Sequence, residues 1–300
     1  MRQLQWDDLR LFLALARFRT VRDAASELGV SHSTIARRAA QLEEAAGVEL
    51  FRRPRSEFAL TEAGEDVMRV AERMENEVAG LQRRALGRDP ELKGPIVLTM
   101  LDIIALEPLI ASLAQFRDNY PGIDLTLDIS MSRANLDRGE ADIALRFGTS
   151  PDGHLIGRQI VDTARAVYAT RAYVDTVLAN GDGSWIGYTA AGDPEHWKAE
   201  TPFPSLPTAL RIEDMKVQQS ACRSGLGLAF LPCMLCDPDP ELIRISKPDF
   251  PDYQRLWLLK HPDMRGNARV RALTAHLETV FADLKPLLKG ETAETVPVQL

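Results

Sequence analysis

The chain has 300 residues, 45% hydrophobic and 26% charged, with a net charge of −7. That balance excludes a disordered polymer and predicts two or three packed domains. No apolar run is long enough to cross a bilayer, and the start, MRQLQWDDLRLF, lacks the apolar stretch of a signal peptide. Three cysteines, Cys222, Cys233 and Cys236, are too few for a disulfide framework, so a cytoplasmic location is expected. The first sixty residues hold ten arginines against eight acids and no lysine, a net of +2, which leaves −9 on the rest. Arginine suits bidentate contacts with phosphate and guanine. A faintly basic head on an acidic body fits a DNA reader with a separate regulatory part.

The first element is a helix with Leu9, Phe12, Leu13 and Ala16 as its buried stripe. In VRDAASELGVSHSTIARRAAQ, residues 21–41, Val21, Ala24, Ala25 and Leu28 recur at helical spacing and stop at Gly29. A glycine there can take the left-handed conformation of a sharp turn. Ser31 or Ser33 can cap a second helix, whose apolar face is Ile35, Ala39, Leu42 and Ala46. His32, Ser33, Thr34, Arg37, Arg38 and Gln41 remain for the other face, as in a helix-turn-helix whose second helix reads a major groove. An ordinary helical hairpin with solvated arginines is the plain alternative. Residues 47–60 read as two short strands around a basic tip, a wing that brings Arg52, Arg53 and Arg55 to the DNA backbone or minor groove.

Thr61 is a plausible cap for a long helix in which Val67, Ala71, Met74, Val78 and Leu81 step by four, three, four and three. Such a seam calls for a second copy in a dimer, or packs on its own domain. Gly87-Arg88-Asp89-Pro90 reads as a hinge. Beyond it, strands are expected at 96–100, 123–129 and 141–146. Helices are expected through Leu106, Leu109, Ile110, Leu113 and Phe116, and around Leu136. A second alternating unit begins at 164–170. It carries 185–188, a helix at 215–224 and a strand at 226–231. The chain returns at 256–260 into a last helix through Val270, Leu273, Leu277, Val280 and Phe281. Alternation of this kind predicts α/β layers. The tail after Pro286 shows no period and is left unassigned or disordered.

The first ninety residues resemble the winged helix-turn-helix and linker helix of LysR-type transcriptional regulators, through AASELGVS, IARRAAQLEEAAGVELFRR and LTEAG. GPIVLTM, NLDRGEADIALRFG, GLGLAFLP and LWLLKHPDMRGNARVRALTAHL extend the likeness over nearly the whole chain. Two positions depart from the family pattern. Ala36 stands where a serine usually faces the DNA, which removes one phosphate or base contact, and Ser33 replaces a common proline. The resemblance implies an α/β multidomain protein: a DNA-binding domain at 1–60, a linker and dimerisation helix with hinge at 61–90, a periplasmic-binding-protein-like effector domain at 91–290 and a tail at 291–300. Lobe 1 is expected at 91–161 and 262–290, and lobe 2 at 162–261. It also implies a homodimer or homotetramer on double-stranded DNA, a small-molecule effector between the lobes, and RNA polymerase as a partner of an activator.

In the family, the loop after the first regulatory strand often meets an effector carboxylate. Here that loop offers Leu101, Asp102 and Ile103, and the matching turn of lobe 2 offers Glu213 and Asp214. These acids either cap their helices or face the cleft. Ser130, Met131, Ser132 and Arg146 complete the expected effector set, and a neutral or amine-bearing effector fits it better than a dicarboxylate. Gly225 and Gly227 read as a helix end running into a strand, because a dinucleotide loop lacks its strand and third glycine. Cys233 and Cys236 lack further ligands at zinc spacing; a cysteine-based redox response is the alternative within this architecture. The histidines 32, 154, 196, 261 and 276 form no ligand or triad spacing, and no nucleophile motif occurs. No cofactor, metal or enzymatic activity is expected. The alternatives of a different class are a solute-binding protein and an enzyme with an accessory helical domain.

Overall fold

The computed structural model describes residues 5–52, 58–129, 136, 139–151, 155–188, 195–251 and 254–297. The chain divides into two compact units, Met1–Ala85 and Leu86–Leu300.

The first unit begins with α1 (Trp6–Phe18), α2 (Val21–Leu28) and α3 (His32–Ala46). Strands β1 (Phe51–Arg52) and β2 (Ala59–Leu60) follow, then α4 (Glu62–Leu86). The three short helices close on one core of Leu11, Phe12, Leu15, Ala24, Ala25, Ile35, Ala39, Leu42, Leu50 and Phe51. Thr61 caps α4, its hydroxyl accepting the Gly64 N–H at 3.0 Å and donating to the Glu49 carbonyl at 2.7 Å. A side chain at Gly64 would collide with the Leu50 carbonyl oxygen, so α4 approaches the wing as closely as backbone allows. Arg17 grips Glu75 through two bonds of 3.0 and 2.5 Å and ties α1 to α4.

The second unit holds two five-stranded mixed sheets. In lobe 1, β3 (Gly94–Met100) runs parallel to β4 (Ile123–Ile129) and β5 (Ile143–Phe147). Helix α5 (Glu107–Asn119) joins β3 to β4. Strand β6 (Ile156–Asp162) lies at the far edge. Lobe 2 has β7 (Arg165–Ala169), α6 (Arg171–Thr176), β8 (Trp185–Gly187) and β9 (Thr208–Arg211). It continues with α7 (Met215–Arg223), β10 (Leu228–Pro232), α8 (Cys233–Cys236) and β11 (Ile243–Arg244). Its strand order is β11-β7-β10-β8-β9, with β8 parallel to both neighbours. The chain returns to lobe 1 through β12 (Arg255–Lys260) and ends in α9 (Ala268–Leu288).

The structure departs from the sequence pattern in two places. Residues 255–260, which the pattern assigns to lobe 2, form β12, which pairs antiparallel with β5 and β6 within the lobe 1 sheet. The return crossing therefore lies before Arg255. There it runs beside the outward crossing, with Thr163 donating N–H and hydroxyl to the Gln254 carbonyl at 3.0 and 2.7 Å. Arg165 and Asp249 exchange backbone bonds of 2.8 Å beside it. The tail is also not structureless as far as Pro297. Helix α9 runs through Pro286 to Leu288. Buried Arg244 then donates to the carbonyls of Gly290 (2.7 Å) and Ala293 while paired with buried Asp237 at 3.1 Å. Val296 N–H bonds to the Arg244 carbonyl at 2.8 Å. The polarity of 291–297 hides this docking because its bonds are mostly made by backbone.

The lobe 1 core sets Ile96, Leu98 and Met100 of β3 against Leu109, Leu113 and Phe116 of α5 and Val270, Leu273, Leu277 and Phe281 of α9. Met215, at the start of α7, packs against this core and against the lobe 2 core, so α7 begins where the lobes meet.

Candidate DNA-binding and effector sites

Helix α2 ends at Gly29 in the left-handed conformation (φ 64°), and Ser31 caps α3 by accepting the Thr34 N–H at 3.3 Å. Buried Ile35, Ala39 and Leu42 fix the rotation of α3. His32, Ser33 and Arg37 are exposed, while Thr34, Arg38 and Gln41 are half-buried. Among the described residues Arg37 bonds Gln41 alone, at 3.4 Å, and the Ser33 and Thr34 hydroxyls lie 3.0 and 2.8 Å from the Ser31 hydroxyl. The Arg37–Gln41 contact is long, and the hydroxyl bonds are local and exposed, so a phosphate or base edge can replace them. Ala36 is exposed among them.

Arg52 is exposed on β1, paired across from Ala59. Arg53 and Arg55 lie outside the described residues. The base of the wing is fixed by a residue the sequence reading missed. The Glu43 carboxylate on α3 accepts the N–H groups of Leu50 and Phe51 at 2.9 and 3.0 Å. Glu43 sits one position after the apolar Leu42, and no spacing rule marks it.

The apolar stripe of α4 is split. Ala71 is buried in the core of its own unit and Val67 packs on that core, so these two are corrected out of the dimer seam. Met74, Val78 and Leu81 are 41%, 38% and 64% exposed and remain open to a partner.

In the body, the loops after β3 and β9 leave from the carboxyl ends of parallel strands, where ligands of open α/β sheets bind. Ile103 is buried in the lobe 1 core, which removes it from the cleft surface; Leu101 is half-buried against that core. Asp102 pairs across the cleft with Lys216 of α7, at 3.6 Å. Arg146 donates to the Thr99 hydroxyl at 3.1 Å, which in turn donates to Asp128 at 3.0 Å. Asp214 caps α7 by accepting the Val217 N–H at 2.9 Å, and Glu213 is exposed beside it. Ser130, Met131 and Ser132 lie outside the described residues. Lys216 was missed because the sequence gives no sign of which charge lies opposite which across two lobes.

The cysteines are all buried in lobe 2. Burial pushes the Cys222 thiol up to about 12 and raises Cys233 and Cys236 as well. A thiol held protonated and shielded is a poor nucleophile, which argues against the redox alternative. Among the described residues no group of His, Cys, Asp or Glu is placed to hold a metal ion. No described helix is long and apolar enough to cross a membrane.

Residues 6–65 match the family model of the bacterial regulatory helix-turn-helix protein, lysR family, and residues 90–282 match that of the LysR substrate binding domain. The Mau operon transcriptional activator of Paracoccus denitrificans is 28% identical over 93% of this chain and 98% of its own length. The HTH-type transcriptional regulator CrgA of Neisseria meningitidis is 27% identical over 78% of this chain and 81% of its own. Among solved structures, full-length AphB, the virulence activator of Vibrio cholerae, aligns with a TM-score of 0.58 at 19% identity, covering 91% of this chain and 98% of that one. CrgA aligns at 0.54 and 24%, covering 94% and 99%; these two likenesses show the fold. A helix-turn-helix unit joined to a two-lobed α/β body is the build of a ligand-responsive DNA-binding protein. The chain belongs to the LysR-type transcriptional regulators.

Proposed function

We propose that residues 1–60 read DNA and 61–90 carry the dimer contact. Residues 91–290 hold a small-molecule effector between the lobes. His32, Ser33, Thr34, Arg37, Arg38 and Gln41 contact a major groove, with Arg52, Arg53 and Arg55 beside it. Met74, Val78 and Leu81 meet their copies in a second chain. A dimer or tetramer then spans half-sites about one helical turn (~34 Å) or a multiple apart. Effector binding changes lobe closure and with it the spacing or bend imposed on the operator, a coupling between two distinct sites. The protein works by binding rather than catalysis, in the cytoplasm, with RNA polymerase as its partner wherever it activates.

The observation that carries this reading is the face of α3. Its apolar side is buried, and its polar side bears Arg37 and Gln41, whose bond to each other is 3.4 Å long. Arg37→Ala should lower affinity for a site footprinted in the DNA upstream of its own gene by about 1–3 kcal/mol. The fold should be unchanged, because the side chain is exposed. Full affinity in a folded Arg37→Ala protein would remove Arg37 from the interface.

A further inference from the structure

The charges along the cleft differ in where their partners lie. Arg146 and Asp128 are joined through Thr99 within lobe 1. Arg211, at the end of β9, pairs with Glu195 at 2.7 Å within lobe 2. Asp214 is occupied by its own helix cap. Asp102 and Lys216 instead answer each other from opposite lobes, at 3.6 Å, with side chains 31% and 47% exposed. Leu101 and Met215, half-buried next to them in sequence, put apolar surface near this pair.

Resting on the reading that the effector binds between the lobes, the geometry points to a zwitterion, a small molecule bearing one ammonium and one carboxylate, as the effector class. A ligand that enters between Asp102 and Lys216 separates them. A simple carboxylate satisfies Lys216 and is left facing the negative Asp102. A simple amine satisfies Asp102 and is left facing Lys216. A zwitterion with its ammonium toward Asp102 and its carboxylate toward Lys216 exchanges one part-exposed ion pair, which contributes little, for two charge-assisted contacts, one from each lobe. Its binding therefore draws the lobes together. Exposed Glu213, next to Asp214, disfavours a second carboxylate. The acids alone suggest a neutral or amine-bearing ligand; Lys216 supplies the missing cation and changes that expectation.

The test uses the full-length chain in a thermal-shift screen at millimolar ligand. The panel is a set of amino acids with small side chains, each beside its deaminated carboxylic acid and its decarboxylated amine. A ligand that binds the native state raises the melting temperature. The expected result is stabilisation by at least one amino acid and by neither of its counterparts. Asp102→Asn and Lys216→Gln should each weaken that apparent affinity by roughly tenfold to a hundredfold, the loss of one hydrogen bond to a charged group. Circular dichroism checks that both variants fold. Stabilisation by carboxylic acids that survives Asp102→Asn and is lost in Lys216→Gln would overturn the zwitterion and leave the cleft as the site. Stabilisation by an amino acid that neither substitution weakens would place the ligand elsewhere and overturn the cleft reading itself. No stabilisation by any amino acid of the panel would overturn the proposal.

Discussion

Replacing Asn267 should loosen the segment that follows α4. From its sequence that segment, Gly87 to Pro90, reads as a hinge, yet the start of α9 holds it. Asn267 is fully buried. Its Oδ1 accepts the Val270 N–H at 3.1 Å and caps α9, while its Nδ2 donates to the Leu86 carbonyl at 2.8 Å. Ala268 N–H bonds to the Asp89 carbonyl at 3.0 Å. Buried Arg269 reaches the Asp89 carboxylate at 2.7 Å and the Lys93 carbonyl at 2.5 Å. The Glu91 N–H foremost, and then Arg269, hold the Asp89 carboxyl below its ordinary value. Asn267→Ala removes a cap, about 1 kcal/mol, and a backbone-directed hydrogen bond, about 1 kcal/mol net. The first acts on the α9 turn and the second on the linker, each a factor of about five in local opening. The assay is amide hydrogen exchange on the full-length chain, which reads local opening segment by segment. Peptides covering residues 86–94 and the first turn of α9 should each exchange about fivefold faster in Asn267→Ala. Asn267→Asp keeps the cap acceptor but sets a carboxylate oxygen against the Leu86 carbonyl in place of the donor, so it should speed exchange in the linker at least as much while the α9 turn stays protected. Wild-type exchange across 86–94 in both variants would show that Asn267 does not fasten the linker.

Val78→Asp puts a charge on the exposed part of the α4 stripe, outside the core of the first unit; it should abolish the dimer and operator binding while both units stay folded. An intact dimer in sedimentation would contradict the seam. The Asp142 carboxyl is raised above its ordinary value by burial, more than the Val97 N–H at 2.8 Å and the Arg269 charge lower it. The folded state therefore keeps this proton longer than the unfolded one, and stability falls as pH rises from about 4 through the raised pKa. Asp142→Asn keeps an oxygen for Val97 without the charge, so its melting temperature relative to wild type should climb over that window. A wild type that gains on the variant as pH rises would reverse the argument.

Much of the fold was legible because local chemistry and tertiary packing agree. Gly29 ends its helix in the left-handed conformation, at φ 64°, as its place after Leu28 suggests, and apolar spacing placed Ile35, Ala39 and Leu42 inside. Periodicity could not divide the stripe of α4. Val67 and Ala71 obey the same spacing as Val78 and Leu81, and only the reach of the first unit's core separates the two pairs. Sheet membership was also out of reach for β12. Its run LWLLK fits either lobe, and the choice falls to the crossing pair of Thr163 and Gln254, which lies ahead of Arg255.

The two candidate sites were legible to different degrees for a physical reason. The DNA-reading face lies on one helix, so its residues share a period and can be collected from the sequence. The cleft is assembled from loops more than a hundred residues apart. Its acids were visible as composition, but their partners depend on how β3 and β9 end relative to each other. Asp214 turned out to be occupied by its helix, and Arg146 is bonded to Thr99 within its own sheet. Asp102 found a lysine from the opposite lobe that had drawn no attention. A ligand that bridges lobes meets charge pairs rather than single residues. For a two-lobed body, the useful question is therefore which charges find their partner in the opposite lobe, and among the described residues along this cleft Asp102 and Lys216 are held across it.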